Sequence, residues 1–275
     1  DMDSKSVSDT ISRGGTILQT ARCKEFVTAE GQQKGAEICK KHGIDAIVVI
    51  GGDGSFQGAQ KLAALGINTI GLPGTIDLDI ACTDYTIGFD TACNTAMEAI
   101  DKIRDTAAAH DRIFFVEVMG HGSGYIAVYT GIATGVEQII MPPKKDEENH
   151  SIIPDSDELY DDIVKDLREA EGRKKSSSII IVSENGQNIG ERVRIITEEV
   201  KKRMPDKDIK ETTLGHIQRG GSPTTADRVL ATRLGTAAVE GLLAGERGKI
   251  AGVRDNKIVY TPLRDNTKPY DLTND

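Results

Sequence analysis

Runs of β-branched apolar residues alternate along this chain with stretches of helical apolar spacing, and this alternation constrains the fold more than any other feature. The predicted strands are 45–50, 69–72, 112–118 and 178–182. The predicted helices are 28–42, 55–65, 90–108, 156–170, 190–203 and 224–244. Because strands joined by crossover helices form parallel sheets, the pattern predicts the α/β class.

The composition excludes several classes of protein. With 275 residues the chain is long enough for two domains, and 38% hydrophobic with 28% charged residues is typical of a globular protein. The net charge of −9 argues against a broad contact with nucleic acid or anionic lipid, so any anion site is local. No window approaches the roughly 20 apolar residues that span a bilayer. Four cysteines without CxxC spacing and a polar N-terminal sequence predict reduced thiols and a cytosolic location.

Two segments interrupt the alternation and predict domain boundaries. Residues 142–154 combine prolines with charges and lack an apolar period, which indicates an exposed linker. Beyond Gly252 the chain is polar, with one short strand predicted over 258–260. The predicted divisions are therefore a first domain over 1–140, a second over 141–252 and a tail over 253–275.

The first glycine-rich motif, Gly51-Gly-Asp-Gly-Ser55, follows a predicted buried strand and opens a helix that carries Gly58 in its first turn. Glycines allow backbone N–H groups to approach phosphate oxygens, and a helix N-terminus adds partial positive charge. Asp53 lies where a Mg²⁺ ion on nucleotide phosphates needs an oxygen ligand. An ordinary tight strand-to-helix turn is the alternative, but the strand context favours a nucleotide phosphate site.

A second motif, Gly71-Leu-Pro-Gly-Thr-Ile-Asp-Leu-Asp79, ends another predicted strand with one hydroxyl and two acids. In an extended segment, Asp77 and Asp79 face one side, next to Thr75. One carboxylate can then take a proton while the other holds a metal, and a positioned carboxylate contributes ~10²–10⁴-fold to rate. A solvated Asp-rich turn is the alternative.

Two further loops carry groups suited to a phosphorylated ligand. Val118-Met-Gly-His-Gly-Ser-Gly124 follows an apolar strand, and its His121 is either a catalyst or a solvated loop residue. Thr212-Thr-Leu-Gly-His-Ile-Gln-Arg-Gly-Gly-Ser-Pro223 places His216 and Arg219 three residues apart. His216 and Arg219 suit a sugar phosphate or another small dianion, although either can instead donate to loop carbonyls.

In this order, the four segments resemble those of the ATP-dependent 6-phosphofructokinase family, and the resemblance runs from Ser6 to about Gly252. It implies two Rossmann-like three-layer α/β/α domains with mainly parallel sheets, the first for ATP and the second for a sugar phosphate. It implies phosphoryl transfer from Mg-ATP to the 1-hydroxyl of fructose 6-phosphate, giving fructose 1,6-bisphosphate in glycolysis. It also implies a cytoplasmic, allosteric homotetramer whose sites are shared between subunits.

The resemblance implies roles for individual residues by their position. Asp77 is the implied general base, with Thr75 and Arg22 at the transferred phosphoryl group. The implied metal-binding residues are Asp53 and Asp79. The residues implied at ATP are Gly51, Gly52, Asp53, Gly54, Ser55 and Gly58. The residues implied at the sugar phosphate are Asp79, Arg112, Met119, Gly120, His121, Glu184, Lys210, His216 and Arg219. The residues implied at an ADP-type effector and its metal are Arg104, Glu137, Arg173 and Lys175.

Several positions depart from the family pattern. The family has Asn where this chain has Leu78 and Arg where it has His121, and the second change removes a permanent charge. Lys210, implied with Arg112 at the substrate of the adjacent subunit, replaces an arginine and loses its bidentate fork. The loop over 142–156 is longer than usual. The resemblance therefore supports the chemistry more strongly than it supports the effector response.

The phosphoryl donor is predicted from two glycines. Gly54 and Gly74 leave room beside the β- and γ-phosphates, whereas relatives that use pyrophosphate carry an Asp and a Lys at these points. An added carboxylate at position 54 would repel the α-phosphate of ATP. The sequence therefore favours ATP as the donor.

Family members begin with a strand, a GGD-x-PG loop, a helix and a second strand, and this sequence contains none of them. We therefore expect a first domain that is incomplete at its N-terminus, with half of the phosphate cradle missing and with reduced or no activity of this chain alone. Two other functions fit part of the pattern. One is a GGDG-loop kinase for another acceptor, and the other is a nucleotide-binding paralogue without catalysis.

Overall fold

The computed structural model describes residues 2–109, 112–143, 155–173, 175, 177–186 and 188–263. Its helices are α1 (Ala29–Lys41), α2 (Asp53–Ala64), α3 (Phe89–Ala108), α4 (Tyr125–Thr134), α5 (Asp157–Gly172), α6 (Glu191–Arg203) and α7 (Thr225–Leu243). Its strands are β1 (Ala46–Gly51), β2 (Asn68–Pro73), β3 (Ile113–Val118), β4 (Gln138–Ile140), β5 (Ser178–Ser183), β6 (Ile209–Thr213), β7 (Lys249–Arg254) and β8 (Lys257–Pro262). Two short 3₁₀ helices cover Glu25–Val27 and Gly215–Arg219. Within the described ranges, no helix has both the length and the apolar character that a membrane span requires.

The four strands and six helices predicted from apolar runs are all present, with ends that move by at most two residues. Helix α2 begins at Asp53, so Gly58 lies in its second turn rather than its first. The short strand predicted in the tail is part of β8. Sequence patterns missed β4, which has three residues, and β6, which is mostly polar. They also missed β7 and α4. Helix α4 has apolar residues on all of its faces, so its sequence shows no helical period.

The described residues form two compact units, one from 2–90 with 222–263 and the other from 91–221. This division differs from the predicted boundaries at 140 and 252, because α7, β7 and β8 return to the sheet of the first unit. Of the predicted linker, residues 144–154 lie outside the described residues, as do residues 264–275 of the predicted tail. A nucleotide-binding first domain and a sugar-phosphate-binding second domain stay predictions.

The first unit contains a sheet with the strand order β1-β2-β7-β8, in which only β8 runs antiparallel to its neighbour. Helix α2 packs on one face through Phe56, and α7 packs on the other face through Leu234. The parallel register of β1 and β2 ends with Gly51 opposite Pro73. The loops that follow these two strands therefore start side by side, at the edge where open α/β sheets bind ligands.

The second unit contains a fully parallel sheet with the strand order β4-β5-β3-β6. Every residue of β3 and β5 is buried, as expected for strands covered on both faces. Helices α5 and α6 pack together on one of these faces. Because β3 lies between β5 and β6, Val118 is opposite Ser183 and Glu117 is opposite Thr213. The loops after these three strands therefore gather at one edge, and the prediction of mainly parallel sheets is confirmed.

Candidate active site

The loop between β1 and α2 places backbone N–H groups at the start of a helix. Gly52 is the N-cap residue and has no side chain that can cap the helix. Its carbonyl accepts hydrogen bonds from the N–H groups of Ser55 (3.0 Å) and Phe56 (3.1 Å). The N–H groups of Asp53 and Gly54 belong to the first turn, where a helix has no internal acceptor. A phosphate group is the kind of ligand that such a helix start binds.

Steric limits differ among the glycines of this site. A Cβ atom on Gly51 would lie 2.3 Å from Ser55 Oγ, so a side chain there requires Ser55 to move. A Cβ atom on Gly54 meets nothing within 4 Å, and the predicted room at this position is present. A Cβ atom on Gly74 would lie 2.9 Å from Ile50 Cγ2, so this position has less room than predicted.

The turn after β2 lies against the glycine loop. The Gly74 N–H donates to the Gly51 carbonyl at 3.0 Å, and the Cβ position of Gly52 is 3.6 Å from Thr75 Cβ. Thr75 Oγ1 donates to Asp77 Oδ2 at 3.2 Å and accepts from the Asp77 N–H at the same distance. The structure therefore brings together the glycine loop, the hydroxyl of Thr75 and the carboxylate of Asp77.

Asp77 and Asp79 do not lie in an extended segment, so this prediction is wrong. The chain bends at Ile76 and Asp77, and Leu78 has a φ of 53°. This left-handed region is uncommon for residues other than glycine, although asparagine adopts it more readily. Leu78 is 9% exposed, and the burial of its side chain offsets the backbone strain. Leu78, where the family has Asn, therefore lies at a position whose backbone conformation favours asparagine.

Asp53 and Asp79 are the predicted magnesium ligands. Asp53 is exposed in the first turn of α2, where Gln57 Nε2 donates to its Oδ2 at 2.6 Å, and Asp79 is half-buried. In the described part of the chain, no three His, Cys, Asp or Glu side chains are grouped to hold a metal ion. One or two carboxylates are enough for a Mg²⁺ ion that also takes oxygens from phosphates and water. The residues therefore fit a phosphate-bound ion and do not fit a cage made of protein side chains.

Arg22 and Gly58 complete the set predicted in the first unit. Arg22 is exposed in the irregular segment that precedes Glu25–Val27. A Cβ atom on Gly58 would lie 3.4 Å from Cε1 of the Phe26 ring, which is an ordinary van der Waals contact, so the packing of this ring does not require a glycine. The implied roles of Arg22 at the phosphoryl group and of Gly58 near adenosine stay predictions.

Glu184 organises the loop after β3 in the second unit. Its Oε1 accepts hydrogen bonds from the N–H groups of Gly120 (3.1 Å) and His121 (2.7 Å), and the residue is 5% exposed. His121 has a φ of 48°, and its side chain is exposed. The structure therefore brings Met119, Gly120, His121 and Glu184 together. Their implied contacts with the sugar stay predictions.

Gln218 links this loop to the segment with His216 and Arg219, and sequence reasoning missed it. Its Oε1 accepts the Met119 N–H at 3.0 Å, and the side chain is almost fully buried. His216 and Arg219 lie in the 3₁₀ helix Gly215–Arg219, and both are exposed. The available sequence signal was an uncharged amide between His216 and Arg219 in a glycine-rich motif.

Sequence reasoning also missed Glu117, which lies in the buried strand β3. Its Oε2 accepts hydrogen bonds from the Gly190 N–H (2.5 Å) and from Thr213 Oγ1 (3.4 Å). Burial raises the pKa of the Glu117 carboxyl, and the charge of Glu184 raises it further, against the opposing effect of the Gly190 hydrogen bond. The available sequence signal was an acid inside the apolar run Ile113–Val118.

Asp208 holds two of the predicted cations side by side. Its Oδ2 lies 2.7 Å from Arg112 Nε, and its Oδ1 lies 2.7 Å from Lys210 Nζ. The hydrogen bonds from Lys210 and Arg112 lower the pKa of the Asp208 carboxyl. The parallel pairing of β3 with β6 brings the two cations close, because Arg112 precedes β3 and Lys210 is in β6.

The predicted effector residues also lie in the second unit. Glu137, whose side chain is 2% exposed, forms an ion pair with Lys175 at 2.5 Å. Arg104 Nη2 donates to the Thr134 carbonyl at the end of α4 (2.6 Å), and Arg173 is exposed at the end of α5. The structure therefore brings Glu137 and Lys175 together.

The fold and these loops match a known class of protein. The family model described as Phosphofructokinase matches residues 1–242, so this chain belongs to the phosphofructokinase family. It is 50% identical over 265 residues to the ATP-dependent 6-phosphofructokinase of Shouchella clausii, a match that covers 95% of this chain and 77% of the relative. It is 51% identical over 262 residues to the ATP-dependent 6-phosphofructokinase of Halalkalibacterium halodurans, with 94% and 76% covered.

A solved phosphofructokinase structure supports the same fold. The structure of Pichia pastoris phosphofructokinase in the T-state matches with a TM-score of 0.82 and 33% sequence identity. The match covers 96% of this chain and 30% of that chain. This chain therefore spans less than a third of the length of that relative.

Proposed function

We propose that this chain transfers the γ-phosphoryl group of ATP to the 1-hydroxyl of fructose 6-phosphate, giving ADP and fructose 1,6-bisphosphate in glycolysis. The observation that carries the proposal is the contact of the glycine loop 51–55 with the turn that contains Thr75 and Asp77. Relatives about half identical to this chain are named ATP-dependent 6-phosphofructokinase. Their names favour this reaction over a GGDG-loop kinase for another acceptor and over a paralogue without catalysis.

In the first unit, the start of α2 is the proposed site for the phosphates of ATP. The N–H groups of Asp53 and Gly54 would donate to phosphate oxygens, with Ser55 beside them. The open space at Gly54 supports ATP as the donor, because a carboxylate there would repel the α-phosphate. Asp53 and Asp79 would hold Mg²⁺, which when bound neutralises negative charge on the phosphoryl oxygens.

Asp77 is the proposed general base. It would accept the proton of the sugar hydroxyl as the hydroxyl oxygen attacks the γ-phosphorus, while ADP leaves on the opposite side. The hydrogen bond from Thr75 Oγ1 to Asp77 Oδ2 supports this role, because it fixes the orientation of the carboxylate. Arg22 would place a permanent positive charge at the transferred phosphoryl group.

In the second unit, two groups of residues form the proposed sugar-phosphate site. Glu184, with the loop of Met119, Gly120 and His121, would bind the sugar, and the geometry around Glu184 supports a preorganised loop. The residues proposed for the 6-phosphate are His216 and Arg219. The paired cations Arg112 and Lys210 are proposed to bind the substrate of an adjacent subunit.

Regulation, assembly and location are also proposed from the family. An ADP-type effector would bind at Arg104, Glu137, Arg173 and Lys175, and the ion pair between Glu137 and Lys175 supports a common site for two of these residues. A homotetramer is proposed for the assembled enzyme. The free thiols of all four cysteines support a reducing compartment, for which we propose the cytoplasm.

The test of this function is a coupled ADP-release assay with Mg-ATP and fructose 6-phosphate. We expect Asp77→Asn to lower kcat by at least about a hundredfold with little change in the KM for ATP, because a base is lost and no phosphate contact changes. Asp45→Asn is the matched control, because Asp45 is exposed and immediately precedes β1, at the end of the strand opposite to Gly51. Parental turnover in Asp77→Asn would remove Asp77 from its role, and a parent chain without any turnover would contradict the proposed function of this chain.

A further inference from the structure

We propose that Gln218 is a positioning residue that holds the sugar-phosphate loops of the second unit in register, an inference that rests on the proposed function. Its Oε1 accepts the Met119 N–H at 3.0 Å, and its side chain is 1% exposed. In the chain it stands between His216 and Arg219. One buried amide therefore connects the loop after β3 with the segment that carries both proposed phosphate ligands.

The orientation of the Gln218 amide follows from its partner. A backbone N–H requires an acceptor, so the oxygen of the amide faces Met119 and the nitrogen faces away. Among the residues that the structure describes, Nε2 is buried and has no hydrogen-bond partner. An unmatched buried donor destabilises a fold, so an apolar side chain of the same size would serve better if packing alone decided this position. The acceptor at Oε1 is the interaction that accounts for a glutamine here.

Gln218 completes a series of hydrogen bonds to one short stretch of backbone. The N–H groups of Met119, Gly120 and His121 are consecutive, and all three donate to buried side chains. The first donates to Gln218 and the next two to Glu184, which comes from the loop after β5. The loops after three neighbouring strands are thereby joined. Loss of the Gln218 oxygen would free the 3₁₀ helix from the loop without removing any group proposed to touch the substrate.

Hydrogen–deuterium exchange tests the link without any catalytic readout. We compare the full 275-residue chain with Gln218→Leu, which lacks the acceptor, and with Gln218→Glu, which keeps an oxygen at the same position. Thr197→Val is the control, because Thr197 is a fully buried residue of α6 whose hydroxyl has no partner among the described residues. We expect exchange of the amides of 119–121 to rise about fivefold to tenfold in Gln218→Leu and to stay within about twofold in the other two variants.

Kinetics with fructose 6-phosphate test the consequence of the link. We expect Gln218→Leu to raise the KM for fructose 6-phosphate about tenfold, with kcat and the KM for ATP within about threefold, and Gln218→Glu to restore most of the loss. Unchanged exchange in Gln218→Leu, or equal effects of the Leu and Glu variants, would overturn the proposal. If the parent chain does not phosphorylate fructose 6-phosphate, the proposed function fails, whereas the exchange comparison still decides whether Gln218 holds the loop.

Discussion

Buried polar side chains that bind backbone N–H groups shape the second unit at the residue scale. Glu117, Glu184 and Gln218 are each at most 5% exposed, and each accepts a hydrogen bond from the backbone of a loop or a helix start. Backbone groups just beyond the end of a strand lose their ladder partners, so they need acceptors from elsewhere. These three side chains supply the acceptors where the loops of β3, β5 and β6 meet.

Glu117 gives this unit a predicted pH dependence. Its raised pKa means that the folded state keeps a proton that the unfolded state releases near pH 4.5. The stabilising contribution of Glu117 is therefore complete below about pH 4.5 and is lost as the pH rises through the folded-state pKa. Glu117→Gln keeps an acceptor for the Gly190 N–H. We expect its free energy of unfolding, relative to that of the parent, to be higher at pH 8 than at pH 5.

Thermal unfolding across this pH range measures the effect. The melting temperature of Glu117→Gln minus that of the parent should increase from pH 5 to pH 8. Glu211→Gln is the control, because Glu211 is an exposed residue of β6, next to the same strand, and its substitution should give a nearly constant difference. A constant difference for Glu117→Gln as well would show that burial does not shift its titration.

The close approach of α2 to β2 determines the packing of the first unit at the scale of elements. A Cβ atom on Gly71 of β2 would lie 2.6 Å from Cε1 of the Phe56 ring and 3.2 Å from Ile250 Cγ1. Phe56 is 2% exposed and forms part of the core between α2 and the sheet. The contact between α2 and the sheet therefore requires a glycine at position 71 because there is no space for a side chain, and not because of its backbone conformation.

We expect Gly71→Ala to lower the free energy of unfolding by about 1–3 kcal/mol, because an added methyl group forces the Phe56 ring out of its position. Gly235→Ala is the matched control, since Gly235 is inside α7 of the same unit and a Cβ atom there meets nothing within 4 Å. The control should raise stability by about 0.5–1 kcal/mol through helix propensity. Urea denaturation measures both, and a neutral Gly71→Ala would contradict the close contact.

The division into two units makes a prediction at the scale of the whole molecule. The sheet of the second unit uses only strands from 113–213, whereas the sheet of the first unit combines β1 and β2 with β7 and β8. We expect a fragment of residues 89–221, which keeps all of α3, to fold on its own. A fragment of residues 1–140 should not fold, because it lacks β7, β8 and α7 and takes β3 and β4 away from β5.

Circular dichroism and thermal unfolding of the two fragments test this division. A cooperative transition is expected for 89–221, with a heat capacity change typical of its length, and none is expected for 1–140. The opposite result would support the boundary at 140 predicted from the linker composition.

Local patterns in the sequence determined the α/β class, the position of ten helices and strands to within two residues, and the glycine motifs at the ends of β1, β2 and β3. These features depend on neighbours in the chain, because apolar period and turn chemistry act over a few residues. The family resemblance added predicted roles for individual residues of these motifs, and the match to residues 1–242 confirmed the family.

Only the tertiary structure decided which strands pair across long stretches of chain. The pairing of β2 with β7 joins residues almost 180 positions apart, and it places the unit boundaries at 90 and 221. The tertiary structure also revealed the left-handed backbone of Leu78 and the buried acceptors Glu117 and Gln218. Local patterns can mark such residues as unusual but do not show which groups they contact, because the free energy of a buried acceptor or a strained backbone depends on groups that the fold brings from elsewhere in the chain.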